Sequence, residues 1–149
     1  MFHKLSRRLV AVLCVALALL STSCLTIRLA GDYDEKIDAA ATQLQKDMDG
    51  FLTELESLPP QDTARRYAPN RQFYNSYAVN LRSLETRARS VPKNSITVQQ
   101  VELIAENVET LRALHQQQDD LSTASLGEFR KLFNTAWTAL LTFELAKRR

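Results

Sequence analysis

The sequence predicts an all-α protein, an antiparallel four-helix up-down bundle behind a cleaved N-terminal signal peptide. Three observations point there. Gly and Pro number only 3 and 4 in 149 residues, and good helix formers (Ala, Leu, Gln, Glu, Arg) dominate the rest. From Asp32 onward, apolar residues recur in steps of three and four along four long stretches, the period of one helical face. Brief breaks separate the last three stretches, Pro92-Lys93-Asn94 and the run ending at Asp119-Asp120. Short connections make consecutive helices antiparallel neighbours.

The leader comes first. Lys4, Arg7 and Arg8 precede an uncharged apolar run, Leu9–Leu20, which ends on the small residues Ser21, Thr22 and Ser23. Cations, a short apolar segment and a small-residue cleavage site are the order of a secretory signal peptide. The run is too short to cross a bilayer, which takes ~20 apolar residues. Residues 1–23 are therefore read as signal peptide, 24–31 as a tether and 32–149 as the bundle domain.

Leu20-Ser21-Thr22-Ser23-Cys24 resembles the lipobox of bacterial lipoproteins, in which small residues precede a cysteine that becomes diacylated and then N-acylated. Thr22 and Ser23 fit that pattern. Ser21 stands where Leu is usual, and ordinary cleavage after Ser23 is the alternative. Cysteine usage favours the lipoprotein: Cys14 leaves with the leader, so Cys24 is the lone thiol of an exported chain, a liability unless paired or modified. More than one acyl chain anchors stably where a single one binds marginally. In such lipoproteins Asp after the cysteine marks retention at the inner membrane. Leu25 stands there instead, so the resemblance implies the outer membrane, facing the periplasm.

Leu25–Gly31 is a tether of at most ~25 Å when extended. Asp32 with Glu35 reads as a capping box, and Tyr33, Ile37, Ala41, Leu44, Met48, Phe51, Leu55 and Leu58 form the first seam. Pro59-Pro60 ends it. Asp62 caps a single turn, Thr63–Tyr67, broken by Pro69. Asn70 caps the second helix, to about Val91, with its seam at Tyr74, Tyr77, Leu81, Leu84, Ala88 and Val91. Thr97 with Gln100 is the clearest capping box of the chain, flanked by Ile96 and Val101 as a hydrophobic staple. The third seam is Val101, Ile104, Val108, Leu111 and Leu114 or His115, decaying into Gln116–Asp120. Ser125 with Glu128 opens the last helix. Its apolar face is the widest: Phe129, Leu132, Phe133, Ala136, Trp137, Leu140, Leu141 and Phe143. Such width predicts the most buried helix of the set. Alternatives are a three-helix bundle with one helix displaced, or a coiled coil paired with another chain.

Charge follows the helices. The first and third are acidic and the second and fourth basic, so in a cyclic bundle each has opposite charge on both flanks. Three of the 19 cations sit in the leader, against 17 anions in all, so the domain is near neutral and no nucleic-acid partner is expected.

Sites for chemistry are scarce. Beyond the leader one histidine remains, His115, and the cysteine is assigned to lipid, so Cys/His zinc sites, a Cys-His nucleophile and covalent haem lack their residues. No Glu-x-x-His pair or phosphate-binding Gly-rich loop occurs. Met48 and His115 could in principle hold a haem, but Met48 lies on a core seam where Met is a gap-filler. No cofactor, no metal and no enzymatic activity are expected. Arg65, Arg66, Tyr67, Arg71 and Tyr74 interleave Arg and Tyr, the residues of interface anchors, and form the candidate partner-binding patch. In the alternative, the aromatics cap the bundle's end and the arginines answer the carboxylates of the first helix. Topology puts Arg28, Lys93, Lys147, Arg148 and Arg149 at the tether's end, as candidate membrane-facing cations. The expected function is that of a lipid-anchored adaptor or accessory subunit binding another envelope protein. The alternative is a module for a small ligand or cell-wall fragment using the Arg/Tyr patch.

Overall fold

The structure, a computed structural model, describes residues 31–148. Residues 1–30, among them the expected signal peptide, Cys24 and Arg28, and Arg149 lie outside the described residues. Four α-helices follow one another: α1 (Glu35–Ser57), α2 (Tyr67–Ser90), α3 (Ser95–Gln118) and α4 (Thr123–Ala146). A single 3-10 turn, Thr63–Arg65, lies between α1 and α2. Each helix packs on its chain neighbours and α4 closes back on α1, the narrowest contact being α1–α2. This is the antiparallel up-down bundle in cyclic order.

One end, here the lower, is fixed by long-range bonds. Gly31 N–H donates to the Lys93 carbonyl at 2.8 Å, Arg87 at the end of α2 binds Asp34 before α1, and Arg148 after α4 reaches Tyr33 and Asp38. Gly31 is buried, and a Cβ there would stand 2.6 Å from the Pro92 carbonyl oxygen. The backbone approach requires glycine, so this last residue of the expected tether belongs to the domain.

The seams form the core. Ile37, Ala41, Leu44, Met48, Phe51 and Leu55 of α1, Tyr74 to Ala88 of α2, and Val101, Ile104, Val108 and Leu111 of α3 are buried. His115 completes the α3 seam fully buried, so α3 is ordered to a point where the sequence suggests decay.

Every helix starts earlier or on another cap than its sequence suggests. Asp34, not Asp32, caps α1, accepting from Lys36 and Ile37 N–H. It also takes the Arg87 pair, which holds its carboxyl below the usual range. Pro69 does not break the chain but sits in the first turn of α2, where no intrahelical N–H is lost. Asn70 instead donates back to the carbonyls of Ala64 and Arg66. α3 begins after Asn94, and Thr97 is a buried member of its first turn. Ser122, not Ser125, caps α4, accepting from Ser125 N–H.

α4 is also not the most buried helix. Leu126, Phe133, Trp137, Leu140 and Glu144 are buried, but Phe129, Ala136, Leu141 and Phe143 are only half-buried and Leu132 is exposed. A cyclic bundle gives each helix one inward stripe, and the surplus apolar width of α4 faces outward.

Trp137 and Phe133 are 1% and 2% exposed. Truncating either to Ala should cost ~3–5 kcal/mol, read as a large drop in the urea midpoint. An unchanged midpoint in both variants would remove α4 from the core.

Candidate functional site

The Arg/Tyr patch closes the upper end of the bundle. Arg65 is 5% exposed. Its guanidinium donates to the carbonyls of Leu55 (2.6 Å) and Leu58 (3.1 Å) at the end of α1 and to the Leu121 carbonyl (2.6 Å) before α4, and it pairs with Asp120 at 2.8 Å. These include carbonyls that the end of α1 leaves without intrahelical partners. Tyr74 is fully buried, its hydroxyl 2.8 Å from His115 Nδ1, and His115 Nε2 lies 2.7 Å from the Arg65 carbonyl. A carbonyl only accepts, so Nε2 carries the proton and Nδ1 accepts from Tyr74. Both ring nitrogens are thereby occupied. Burial, the largest influence, lowers the His115 pKa, the Arg65 carbonyl and the nearby Asp119 and Asp120 oppose it, and the Arg65 charge adds to the lowering.

Tyr67 is half-buried and stacks on Tyr74, and its hydroxyl accepts from Arg112. Arg66 pairs with Asp119 at 3.0 Å, and the Asp119 carboxylate also accepts from Tyr67 N–H. A carboxylate from the end of α3 thus caps the start of α2, where it meets the positive end of the helix dipole. Phe51, Phe73 and Tyr74 add ring contacts, with Phe51 and Phe73 stacked at 3.9 Å. Of the five patch residues, Arg65 and Tyr74 lie inside and cannot meet a partner at the surface. Arg66 and Arg71 are exposed, and Tyr67 is partly so. The aromatics do cap this end. Arg65 and Arg66, however, answer Asp120 and Asp119, while Arg87, Arg130 and Arg148 serve the carboxylates of α1 and its N-cap.

The candidate membrane-facing cations separate in the same way. Lys93 is exposed, in the left-handed region at φ 59°. Arg148 is exposed, stacked over Tyr33 and paired with Asp38. Lys147 turns inward: its ammonium is closed in by Asn94 Oδ1, Thr97 Oγ1 and Glu144 Oε1. Glu144 is itself fully buried. Among the described residues no cluster of His, Cys, Asp and Glu could hold a metal, and no helix is long and apolar enough to cross a membrane.

Two side grooves differ in chemistry. The α1–α2 groove, of about 770 Å³, places Ala40, Leu44, Leu84 and the exposed Val79 between Asp47, Arg82 and Arg87. It is an apolar strip edged by charges. Along α3–α4 the surface is different. On α3, Ile96, Gln100, Leu103, Asn107 and Thr110 alternate in steps of four and three, as do Leu132, Thr135, Ala139, Thr142 and Ala146 on α4. No charged residue occurs between Lys131 and Glu144. Gln100 shares a groove with Thr135, Thr138, Ala139, Thr142 and Phe143, so the two stripes border one face. Ile96, Leu103 and Leu132 are 46%, 51% and 41% exposed. Gln100 Oε1 and Asn107 Nδ2 are closed from water with no hydrogen-bond partner among the described residues. Interhelical ion pairs join α1 to α2 and α4, and α2 to α3. Among the described residues none joins α3 to α4. Charge depletion around exposed leucines is the composition of an interface core. Sequence reasoning missed this face, although the charge-free run from Leu132 to Phe143 was its signal.

Arg65→Met should cost ~3–5 kcal/mol, because Asp120 and three carbonyls lose their donor together. Arg65→Lys should recover only part, since one ammonium cannot reproduce the planar fork. Equal stability of all three proteins in urea would contradict the closure. His115 supplies a pH dependence. Its native pKa lies below the unfolded value of ~6.5, so its contribution is complete above pH 6.5 and is withdrawn as pH falls below it. The urea midpoint should decline from pH 6.5 toward pH 5 in the wild type and run flatter in His115→Gln, and parallel profiles would refute this.

A scan of protein-family models, a search of curated proteins and a search of solved structures each returned no match.

Proposed function

We propose that this chain is a non-enzymatic, lipid-anchored protein of the bacterial outer membrane, facing the periplasm and acting as an adaptor or accessory subunit that holds another envelope protein. The observation that carries the binding role is the α3–α4 face, charge-free along α4 from Leu132 to Phe143, with Ile96, Leu103 and Leu132 exposed on it. The lipid anchor rests on the signal-peptide order of residues 1–23 and on Cys24 at its end. Gly31 supports the geometry: it fastens the chain beside the α2–α3 turn, so only six residues separate the domain from Cys24. The bundle then stands with its lower end toward the lipid and its long sides in the periplasm. Arg148 and Lys93, exposed at that end, suit an anionic surface at ~1 kcal/mol per cation. A small-ligand or cell-wall module based on the Arg/Tyr patch has less support, because Arg65 and Tyr74 are spent on the interior.

Replacing Cys24 by Ser should abolish metabolic labelling with a fatty-acid probe and release the processed protein from the membrane fraction. A wild-type protein that takes up no acyl label would sink the anchored reading.

A further inference from the structure

We propose that the α3–α4 face is a homotypic interface, joining two copies of this chain about a two-fold axis parallel to the bundle axis. The inference rests on the reading of that face as a protein-binding surface and names its partner.

Levels along the two helices follow from one contact. Thr97 of α3 meets Glu144 of α4, and the helices run antiparallel with equal rise. Three residues on from Thr97, Gln100 is level with Leu141 and Thr142. Leu103 is level with Thr138 and Ala139, and Asn107 with Asn134 and Thr135. A two-fold parallel to the bundle axis lays α3 of one copy over α4 of the other at equal height. Leu103 then meets Thr138 and Ala139 of the second copy, a large side chain over small ones. Gln100 faces the Thr142 hydroxyl, and Asn107 faces Asn134 and Thr135. A rotation about the side-chain torsions brings each amide outward, giving Gln100 Oε1 and Asn107 Nδ2 the partners they lack within the chain.

The other two-fold, across the bundle axis, pairs α3 with α3 and α4 with α4. Leucines then crowd against the opposing α3, while the Thr/Ala stripe of α4 faces itself across a gap. Complementarity in size selects the parallel axis. Size also suffices: helices of 24 residues are ~36 Å long, and two side by side present a face ~20 Å wide. The resulting ~700 Å² per copy approaches the ~800 Å² per partner of standard stable interfaces. Glu106, Glu128 and Lys131 border this face and remain at its solvated rim, so the charge-free centre is the α4 stretch from Leu132 to Phe143. The parallel axis also leaves both Gly31 residues at one end, so two anchored chains can share one membrane.

Full-length protein in detergent should sediment as two copies. Leu103→Arg should weaken self-association at least ~30-fold, the consequence of burying an unpaired charge, with helicity unchanged because Leu103 is half exposed in the single copy and with a thermal midpoint that no longer rises with protein concentration. A wild type that stays a single copy, or an unchanged mass for Leu103→Arg, overturns the inference. Geometry is tested in membranes with differently tagged chains. Leu103→Cys in one and Ala139→Cys in the other should give a mixed disulfide, whereas Leu103→Cys pairing with itself overturns the parallel axis. A photo-crosslinker at position 103 in cells separates this inference from the broader function. An adduct of two copies supports it. An adduct only with a different protein overturns it and leaves the adaptor reading standing, and no protein adduct overturns both.

Discussion

The buried guanidinium of Arg65 holds the upper end of the bundle together. An unpaired charge in a protein interior costs far more than any packing around it returns. Arg65 escapes that cost because its donors meet three carbonyls and one carboxylate, drawn from the end of α1 and the α3–α4 connection. Its own carbonyl then fixes the tautomer of His115, which in turn fixes Tyr74. Backbone and side chain of one residue thus join the ends of α1 and α3, the α3–α4 connection and the aromatic packing of α2. Net stabilisation from a buried ion pair is modest. Its effect here is geometric: the 3-10 turn can sit in one place only.

The lower end is closed by similar means with different residues. Lys147 and Glu144, both on the last turn and a half of α4, turn into a site made by Asn94 and Thr97. Asn94 also donates to the Ala88 carbonyl at the end of α2. One amide therefore serves α2, α3 and the ion pair together. Glu144 Oε2 has no partner among the described residues, so this closure is less fully satisfied than the upper one. With polar groups drawn inward at both ends, what the bundle offers a partner lies chiefly along its sides.

How much of this could be read from the chain alone varies with the range of the cause. Seam residues were legible because period and apolarity are local: Ile37 to Leu55 and Tyr74 to Ala88 are buried as their spacing demands. Caps were less so. Ser, Thr, Asp and Asn crowd the helix starts, and which one caps depends on distant partners, as Asp34 shows by binding Arg87 while it caps α1. Arg65, Tyr74 and Lys147 look like surface residues in sequence. Only Asp120, His115 and Glu144, each far away or a helical turn along, make their burial affordable. The signal segment and Cys24 rest on sequence alone.

The apolar width of α4 carries the last step. A helix in a cyclic bundle touches two neighbours and one core, and the stripe through Leu126, Phe133, Trp137, Leu140 and Glu144 fills that core. Leu132 and the Thr/Ala stripe beside it lie outside. Elsewhere the helix flanks carry paired charges, Arg89 with Glu102 between α2 and α3 and Arg130 with Asp49 and Glu56 between α4 and α1. Such exposed pairs add little stability, but they make those flanks costly for another protein to cover, since each pair would have to be desolvated. Among the described residues no ion pair spans the α3–α4 flank, and the small residues of α4 admit a close helix approach. Charge placement therefore acts by exclusion, protecting three flanks from association and leaving the fourth as the one that association can use.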